Sequence, residues 1–287
     1  MQWTLYYYTP SAPAAGIFVG LMGVSTLLHF YQLLRTRTWF MIPFVIGTIM
    51  ETVGYIGRLL SSTESPNYTT GPYIMQSALI LIAPAFLAAS IYMTLGRIIF
   101  MLDGEKISLI PLKWLTKIFV AGDVLSFLMQ ASGAGIMVKD TDNPSTGERI
   151  IIGGLFVQII FFGFFVVSAL VFQLRVKKQP TARSGELSSL WHRHLTALYI
   201  ASGLILVRSI VRVVEYLQGY DGYLMKQEVF IYVFDALLMF VVMMVLHIIH
   251  PSEVNCIIGR GTRYSDKVII TRDFVPESAL EMRDSEA

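Results

Sequence analysis

The sequence predicts an all-α integral membrane protein whose single domain is a bundle of seven transmembrane helices. Hydrophobic residues make up 54% of the 287 residues and charged residues only 15%, and the mean hydropathy is +0.60. Such a composition is typical of a polytopic membrane protein rather than a soluble domain. Apolar runs of about 20 residues, the length that a helix needs to cross a hydrocarbon core, recur along the chain. They cover residues 14–34, 39–60, 73–101, 115–138, 151–174, 195–218 and 228–250.

The distribution of lysine and arginine predicts how this bundle is oriented. Basic residues are frequent after spans one, three, five and seven, whereas the other side carries only Lys139, Arg149 and Lys226. Because basic residues are retained in the cytosol, the N-terminus is expected outside and the C-terminus in the cytosol. The sequon Asn67-Tyr68-Thr69 in the 61–72 loop then lies outside, which makes Asn67 a candidate glycosylation site.

Residues 1–258 are predicted to form the transmembrane domain, and residues 259–287 a cytosolic tail. The tail is polar, mixed in charge and contains Pro276, a composition that predicts a mostly disordered segment. The single cysteine, Cys256, excludes an internal disulfide and cysteine-based metal sites. A net charge of +2 gives no reason to expect nucleic acid as a partner, and the chain has no phosphate-binding loop motif. No cofactor is predicted.

Polar residues inside the spans are the strongest functional signal. The same i, i+4, i+7 spacing recurs as Glu51, Tyr55 and Arg58 in span two, Arg208, Arg212 and Glu215 in span six, and Glu228, Tyr232 and Asp235 in span seven. Residues at that spacing share one face of a helix. A charge at membrane depth costs about 2.5–3.5 kcal/mol on insertion scales, so these arginines are expected to face protein, water or a ligand. Both a structural ion-pair network and a polar substrate site agree with this pattern.

Spans three and four add Tyr92, Asp123 and Gln130 to the candidate substrate-contacting residues. The small residues around Tyr92 favour close helix packing there, with ligand contact by Tyr92 as the alternative. Among the carboxylates, those of Glu51, Glu215 and Asp235 are expected to border a cavity open toward the outer half of the bundle. Arg58, Arg208 and Arg212 are expected to pair with them.

Three histidines raise the alternative of a zinc-dependent lipid hydrolase. His29, His247 and His250 are all expected near the cytosolic end of the bundle, and three histidines can ligate a catalytic zinc ion. No carboxylate of spans two, six or seven is predicted at the depth of these histidines. Asp123 of span four is the one carboxylate that could come near them. Capping and packing explain the histidines more simply, so no metal is expected.

Taken together, the polar motifs resemble the fungal RTA-like family of lipid-translocating exporters, first known as aminocholesterol-resistance proteins. The matching residues are Glu51-x2-Gly54-Tyr55-x2-Arg58; Ala83-Pro84-x3-Ala88-Ala89-x2-Tyr92-x2-Leu95-Gly96-Arg97; Asp123-x2-Ser126-x3-Gln130-x2-Gly133-x-Gly135; Arg208-x3-Arg212-x2-Glu215-x3-Gly219; Glu228-x3-Tyr232-x2-Asp235-x3-Met239; and His250-Pro251. They follow the same order in successive spans. One departure is Val211, where the family often has an aromatic residue.

The resemblance implies a seven-helix protein of the fungal plasma membrane that is not an enzyme. Relatives in that family are linked to export of sphingoid long-chain bases, to resistance against sterol analogues and drugs, and to porphyrin or haem traffic. The expected partners are therefore membrane lipids and an amphiphilic small-molecule substrate. In such a site the buried carboxylates would suit an ammonium headgroup, and Arg208 and Arg212 a phosphate or carboxylate.

A seven-helix receptor or lipid-stress sensor is the alternative function, since the predicted topology also fits that class. The sequence argues against a rhodopsin-like receptor. It has no cysteine pair to tie span three to an outer loop, and Lys226 precedes span seven rather than lying inside it. Span seven ends in His250-Pro251-Ser252 instead of Asn-Pro-x-x-Tyr.

Overall fold

The structure is a computed structural model that describes residues 6, 8–139, 145–218 and 222–259. Within these residues the regular structure is helical, and seven helical spans are long and apolar enough to cross a membrane. This confirms the predicted all-α, seven-span fold. The spans, labelled here α1 to α7, are Ala12–Thr36, Ile42–Thr63, Thr70–Met101, Leu112–Lys139, Ser145–Lys178, Ser188–Leu217 and the composite α7, which comprises Val229–Ile231, Tyr232–Ala236 and Leu237–Ile248. Residues 260–287 of the predicted tail lie outside the described residues, so the disordered cytosolic tail stays a prediction.

All seven helices differ from the predicted apolar runs at one or both ends, most of all α5 and α6. The sixth, α6, begins at Ser188 instead of residue 195, and α5 spans Ser145–Lys178 instead of 151–174. Hydropathy marks the part of a helix that lies in hydrocarbon, whereas polar turns continue the same helix into the interface. The last turn of α5 carries Arg175, Lys177 and Lys178. Their positive charges stabilise this turn by interacting with the negative end of the helix dipole.

Span seven is interrupted by a π-helical segment at Tyr232–Ala236. A π turn accommodates one more residue than an α turn, and such segments occur frequently at functional sites. The extra residue rotates the following helix face by about 100° relative to an unbroken α-helix. The segment carries Tyr232 and Asp235, so the rotation decides which neighbours these two side chains meet.

Glycines set the close packing of the antiparallel pairs α2–α3 and α4–α5. A Cβ atom on Gly54 would lie 2.7 Å from Cγ1 of Ile80, and one on Gly133 would lie 2.6 Å from the carbonyl oxygen of Gly147. No side chain fits at either position. Small residues allow helix backbones to approach in this way inside a membrane.

The two ends of the bundle are distinguished by their loops. We call the end that carries the 64–69 loop and residues 222–228 the sequon end, and the end that carries residues 102–111 and 249–259 the tail end. Large apolar side chains such as Ile17, Leu27 and Ile160 remain exposed on the outer faces of the helices. An exposed apolar surface on helices of this length is the surface expected to contact lipid tails.

Candidate functional site

The polar residues singled out in the sequence fall into three groups in the bundle. The central cluster comprises Glu51, Tyr55, Arg208, Arg212, Glu215 and Asp235; the sequon-end cluster comprises Arg58, Glu228 and Tyr232; and the third group comprises Tyr92, Asp123 and Gln130.

Asp235 is the centre of the first group because it holds both arginines of α6. The Nε atom of Arg208 donates to Oδ1 of Asp235, and Nη2 of Arg212 donates to Oδ2 at 2.6 Å. Arg212 also donates from Nη1 to Oε2 of Glu215 at 3.0 Å. This arrangement confirms that the arginine face of α6 lies against the carboxylate of span seven. Arg208 and Asp235 are 2% and 3% exposed, so their ion pair lies in a medium of low dielectric constant.

Arg208 makes one further contact, with the backbone of α3. Its Nη2 atom donates to the carbonyl oxygen of Ile80 at 2.7 Å. The guanidinium therefore joins α6 to α3 as well as to α7. The two contacts use different nitrogen atoms of the planar guanidinium, whereas a lysine has a single nitrogen to serve both acceptors.

Glu51 is placed differently from the prediction. It is fully buried, but neither carboxyl oxygen has a hydrogen-bond partner among the described residues, and the same holds for the hydroxyl of Tyr55 one turn away. We expected Arg58, Arg208 and Arg212 to match Glu51, Glu215 and Asp235. That pairing is wrong for Glu51, because Arg58 lies two turns further toward the sequon end.

Near the sequon end of the bundle, Arg58 contacts residues at the beginning of span seven. Its Nη2 atom lies 2.8 Å from Oε1 of Glu228 and 2.9 Å from the hydroxyl oxygen of Tyr8, and Nε donates to the hydroxyl of Tyr232 at 3.0 Å. The rings of Tyr8 and Tyr232 lie over the guanidinium at 5.5 and 5.2 Å, distances that allow cation–π attraction. Glu228 also accepts the backbone N–H of Ser11 at 2.9 Å.

The contribution of Tyr8 and Ser11 was missed in the sequence. Neither residue carries a charge, and both precede the first apolar run, so hydropathy and charge patterns gave no signal. The only available hint was the aromatic segment Tyr6-Tyr7-Tyr8, because tyrosines at the end of a span often lie at the membrane interface.

The third group is separate from the arginines. The hydroxyl of Tyr92 donates to Oδ2 of Asp123 at 2.9 Å, and Nε2 of Gln130 donates to Oγ of Ser126 at 2.7 Å and to Oε1 of Gln158 at 3.3 Å. These bonds join α4 to α3 and α5. The structure therefore does not bring all the candidate residues together, and their contact with a substrate stays a prediction. The reason for the separation is that Tyr92 lies more than three turns beyond Ile80 along α3, and α4 packs on the side of the bundle that faces α5.

A narrow cleft runs beside the central cluster. It is lined by Arg208, Arg212, Glu215 and Asp235 and, on its apolar side, by Val211, Leu224, Phe230, Ile231 and Phe234. Its cavity volume is about 10 Å³, enough for about one water molecule. Glu215 and Asp235 border this cleft, whereas Glu51 is not among its lining residues. The predicted cavity open toward the outer half of the bundle stays a prediction. This conformation is closed to an amphiphile.

The histidines take part in local packing contacts. Nε2 of His29 lies 3.0 Å from the carbonyl oxygen of Met243, and Nδ1 of His247 lies 3.0 Å from Oε1 of Gln32. Among the described residues, no group of three or more His, Cys, Asp or Glu side chains is placed to hold a metal ion. The expectation that purified protein carries no zinc stays a prediction for metal analysis.

Comparison with known proteins gives consistent matches. A family model described as RTA1 like protein matches residues 44–256. Protoporphyrin uptake protein 1 of Saccharomyces cerevisiae is 42% identical over 273 residues, covering 83% of this chain and 89% of the relative. Protein RTA1 of the same yeast is 36% identical over 272 residues, covering 86% and 84%. The sphingoid long-chain base transporter RSB1 of that species is 27% identical over 267 residues, covering 81% and 69%. No solved structure matches.

Proposed function

Because the chain belongs to the RTA1-like family of membrane proteins, we propose that it translocates amphiphilic lipids that carry a charged headgroup. Sphingoid long-chain bases are the first substrate class, and export toward the outer side is the proposed direction. A relative named as a sphingoid long-chain base transporter supports the class. Sterol-like toxicants and other amphiphilic xenobiotics extend the same chemistry, and the chain has no catalytic role in this proposal.

The observation that carries the proposal is the position of Asp235 between two arginines and beside the cleft. An ammonium headgroup that reaches Asp235 or Glu215 replaces one arginine contact by another charge-assisted hydrogen bond, which is strong in a site shielded from water. The aromatic side chains of Phe230 and Phe234 line the same cleft. They offer an apolar wall for the hydrocarbon chain of the substrate.

Substrate entry requires the bundle to open, since the cleft holds about one water molecule in this conformation. The π segment Tyr232–Ala236 is the proposed place of this movement. Asp235 lies inside this segment, and conversion of a π turn to an α turn shifts the register of the side chains within and after it. A shift of this kind moves Asp235 relative to α6.

The proposed location is the plasma membrane, with the sequon end outside and the tail in the cytosol. The asymmetry of basic residues supports this orientation. Asn67 is exposed in the loop between α2 and α3, where a glycosylating enzyme has access to it.

A second candidate substrate class is a carboxylated tetrapyrrole. The relative that is 42% identical is named a protoporphyrin uptake protein, and the guanidinium groups of Arg208 and Arg212 suit carboxylates. In the closed conformation both arginines already contact Asp235, so a propionate group would have to displace that residue. An ammonium headgroup at Glu215 instead displaces only Nη1 of Arg212, whose Nη2 keeps its contact with Asp235, which is why the sphingoid base is placed first.

The deciding experiment uses purified protein in phospholipid vesicles. Labelled sphingosine, a labelled phospholipid, a labelled sterol and protoporphyrin IX are each followed for movement between leaflets or into the lumen. We expect sphingosine movement to exceed that in protein-free vesicles, and the Asp235→Asn variant to lose most of this excess. Glu64→Gln is the matched control, because Glu64 lies in the exposed loop away from the cleft.

Two outcomes would change the proposal. Movement of protoporphyrin but not sphingosine would favour the tetrapyrrole class. Equal sphingosine movement with and without protein would contradict the proposal. If Asp235→Asn does not fold, Glu215→Gln replaces it, because the Glu215 side chain is 20% exposed and pairs with Arg212.

A further inference from the structure

The charges of the central and sequon-end clusters do not balance if every carboxyl group is ionised. The ion pairs are Arg58 with Glu228, Arg208 with Asp235, and Arg212 with both Asp235 and Glu215. Three guanidinium groups thus face three paired carboxylates. Glu51 is the remaining carboxyl group of the central cluster, and it would add an uncompensated negative charge.

The surroundings of Glu51 offer nothing that replaces water around such a charge. Its side chain is 0% exposed, and both carboxyl oxygens lack a hydrogen-bond partner in the described structure. A buried ionised carboxylate needs donors or a nearby positive charge, and otherwise takes up a proton. The two positive charges that act on Glu51, on Arg208 and Arg212, are already directed at Asp235.

The other titratable groups on the helices around Glu51 lie at different levels. Helix α1 crosses α2 beside Thr48, which accepts a hydrogen bond from Thr26, and the titratable residues of α1 in the described structure, His29, Tyr31 and Arg35, follow toward the tail end. Helix α3 packs against α2 on both sides of Glu51, with Leu87 at Gly47 and Ile80 at Gly54, and its titratable residues are Tyr73, Tyr92 and Arg97. On α2 itself the neighbours are Tyr55 and Arg58. The charged groups that act on the Glu51 carboxyl are Asp235, Arg208 and Arg212.

We propose that Glu51 is a proton-binding site that competes with Asp235 for the two arginines of α6. In the closed conformation Asp235 is ionised and holds both arginines, and Glu51 carries a proton. When a positive headgroup occupies Asp235, one arginine is released and turns to Glu51, whose proton then passes to water. One cation enters the cluster and one proton leaves, so the net charge of the cluster is unchanged.

This exchange gives the chain a source of energy for transport. The entry of the headgroup and the coupling rest on the proposed function, whereas the proton on Glu51 does not. A substrate cation that moves outward is exchanged for a proton that moves inward. A proton gradient across the membrane then drives accumulation of the base on the outer side without ATP.

Infrared difference spectroscopy of the protein in lipid tests the proton site without any substrate. A protonated carboxyl group has a C=O stretching band that shifts in heavy water, and an ionised one does not have this band. The difference spectrum between the parent and Glu51→Gln is expected to contain the band of Glu51. Asp123 is present in both proteins, so its contribution cancels in this difference. Glu228→Gln is the matched control and is expected to leave the band in place, because Glu228 forms an ion pair with Arg58.

The same band tests the competition. In Asp235→Asn the arginines lose their carboxylate and turn to Glu51, which then gives up its proton. The difference spectrum between Asp235→Asn and the double variant Glu51→Gln/Asp235→Asn is therefore expected to lack the band. No band in the first difference shows that Glu51 is ionised and overturns the proposal. An unchanged band in the second difference overturns the competition. The first difference needs only Glu51→Gln, a neutral side chain of nearly the same shape, so the proposal stays testable if Asp235→Asn does not fold.

Vesicles with labelled sphingosine test the coupling. We expect an imposed proton gradient, acidic on the side to which the base moves, to drive accumulation by the parent protein. Glu51→Gln is expected to equilibrate the base but not to respond to the gradient. A parent protein that moves sphingosine with no response to the gradient overturns the coupling. A parent protein that moves no labelled lipid contradicts the proposed function, whereas the spectra still decide whether Glu51 binds a proton.

Discussion

Arg208 donates a hydrogen bond to the backbone carbonyl oxygen of Ile80 at 2.7 Å. In an unbroken helix this oxygen would accept the N–H of residue 84, but residue 84 is Pro84, which has no N–H group. The proline therefore leaves an acceptor free inside the membrane, and the guanidinium of α6 satisfies it. Freed backbone groups in membrane helices are usually satisfied by a neighbouring helix or by water.

A double-mutant cycle tests this relationship. Arg208→Lys keeps the charge at Asp235 but leaves the Ile80 oxygen without a donor, which is expected to cost about 1–3 kcal/mol of stability. Pro84→Ala restores the helical N–H. It should therefore stabilise the Arg208→Lys variant by about 1 kcal/mol more than it stabilises the parent. Thermal unfolding of the four purified proteins in detergent measures the difference, and equal effects of Pro84→Ala in both backgrounds would contradict the link.

A second cycle concerns the carboxylates of the central cluster. Removing one partner of a buried ion pair costs about 3–5 kcal/mol when the other charge is left unpaired. We expect Asp235→Asn to cost less than this, because Glu51 can take over the arginines, and Glu51→Gln alone to be nearly neutral. The double variant leaves only Glu215 as a paired carboxylate and should lose more stability than the sum of the single effects. Additive losses, measured by thermal unfolding, would contradict the exchange of partners.

A third prediction concerns the anchoring of the N-terminal segment. Glu228 accepts the Ser11 N–H at the start of α1 as well as the Arg58 guanidinium. Glu228→Gln lowers the charge of the acceptor, and charge-assisted hydrogen bonds are about twice as strong as neutral ones. The Ser11 amide should therefore exchange its hydrogen faster, as measured by mass spectrometry. Glu64→Gln should leave this amide unchanged, and equal exchange in the parent and in Glu228→Gln would show that Glu228 does not hold the segment.

How far the sequence predicted these features depends on the type of signal. The seven spans were predictable because hydrocarbon imposes a minimum length on each apolar run. The contact of Arg208 and Arg212 with Asp235 was predictable in kind, since buried charges need partners. The pairing of Arg58 was not, because the choice between Glu51 and Glu228 depends on how far each helix is displaced along its axis.

The remaining features depend on backbone geometry that residue patterns do not encode. The π segment at Tyr232–Ala236 has no proline or glycine to mark it, and it sets the direction of Asp235. Pro84 did mark a freed carbonyl oxygen, but the donor that reaches this oxygen lies on α6, far away in the sequence. The separation of Tyr92 and Asp123 from the arginines likewise follows from the order of the helices in the bundle.

A fourth prediction uses two glycines of the same helix. A Cβ atom at Gly133 would lie 2.6 Å from the carbonyl oxygen of Gly147 and 3.0 Å from the backbone nitrogen of Ile151, whereas one at Gly135 would meet nothing within 4 Å. Gly133→Ala must therefore separate α4 from α5, at an expected cost of about 1–3 kcal/mol. Gly135→Ala should be neutral or gain up to about 1 kcal/mol from helix propensity. Thermal unfolding compares the two, and equal midpoints would contradict the close approach of the helices.

The last prediction concerns orientation. Asn67 is exposed between α2 and α3, and the basic residues of the other loops favour the cytosol. Expressed in yeast, the protein should lose mass on treatment with a glycosidase that removes N-linked sugars, and Asn67→Gln should abolish this loss. Asn143→Gln is the matched control, because Pro144 follows Asn143 and prevents recognition as a sequon. A reporter fused after Ala287 that carries its own sequon should remain unglycosylated. Glycosylation of that reporter would place the C-terminus outside and reverse the proposed direction of the whole bundle.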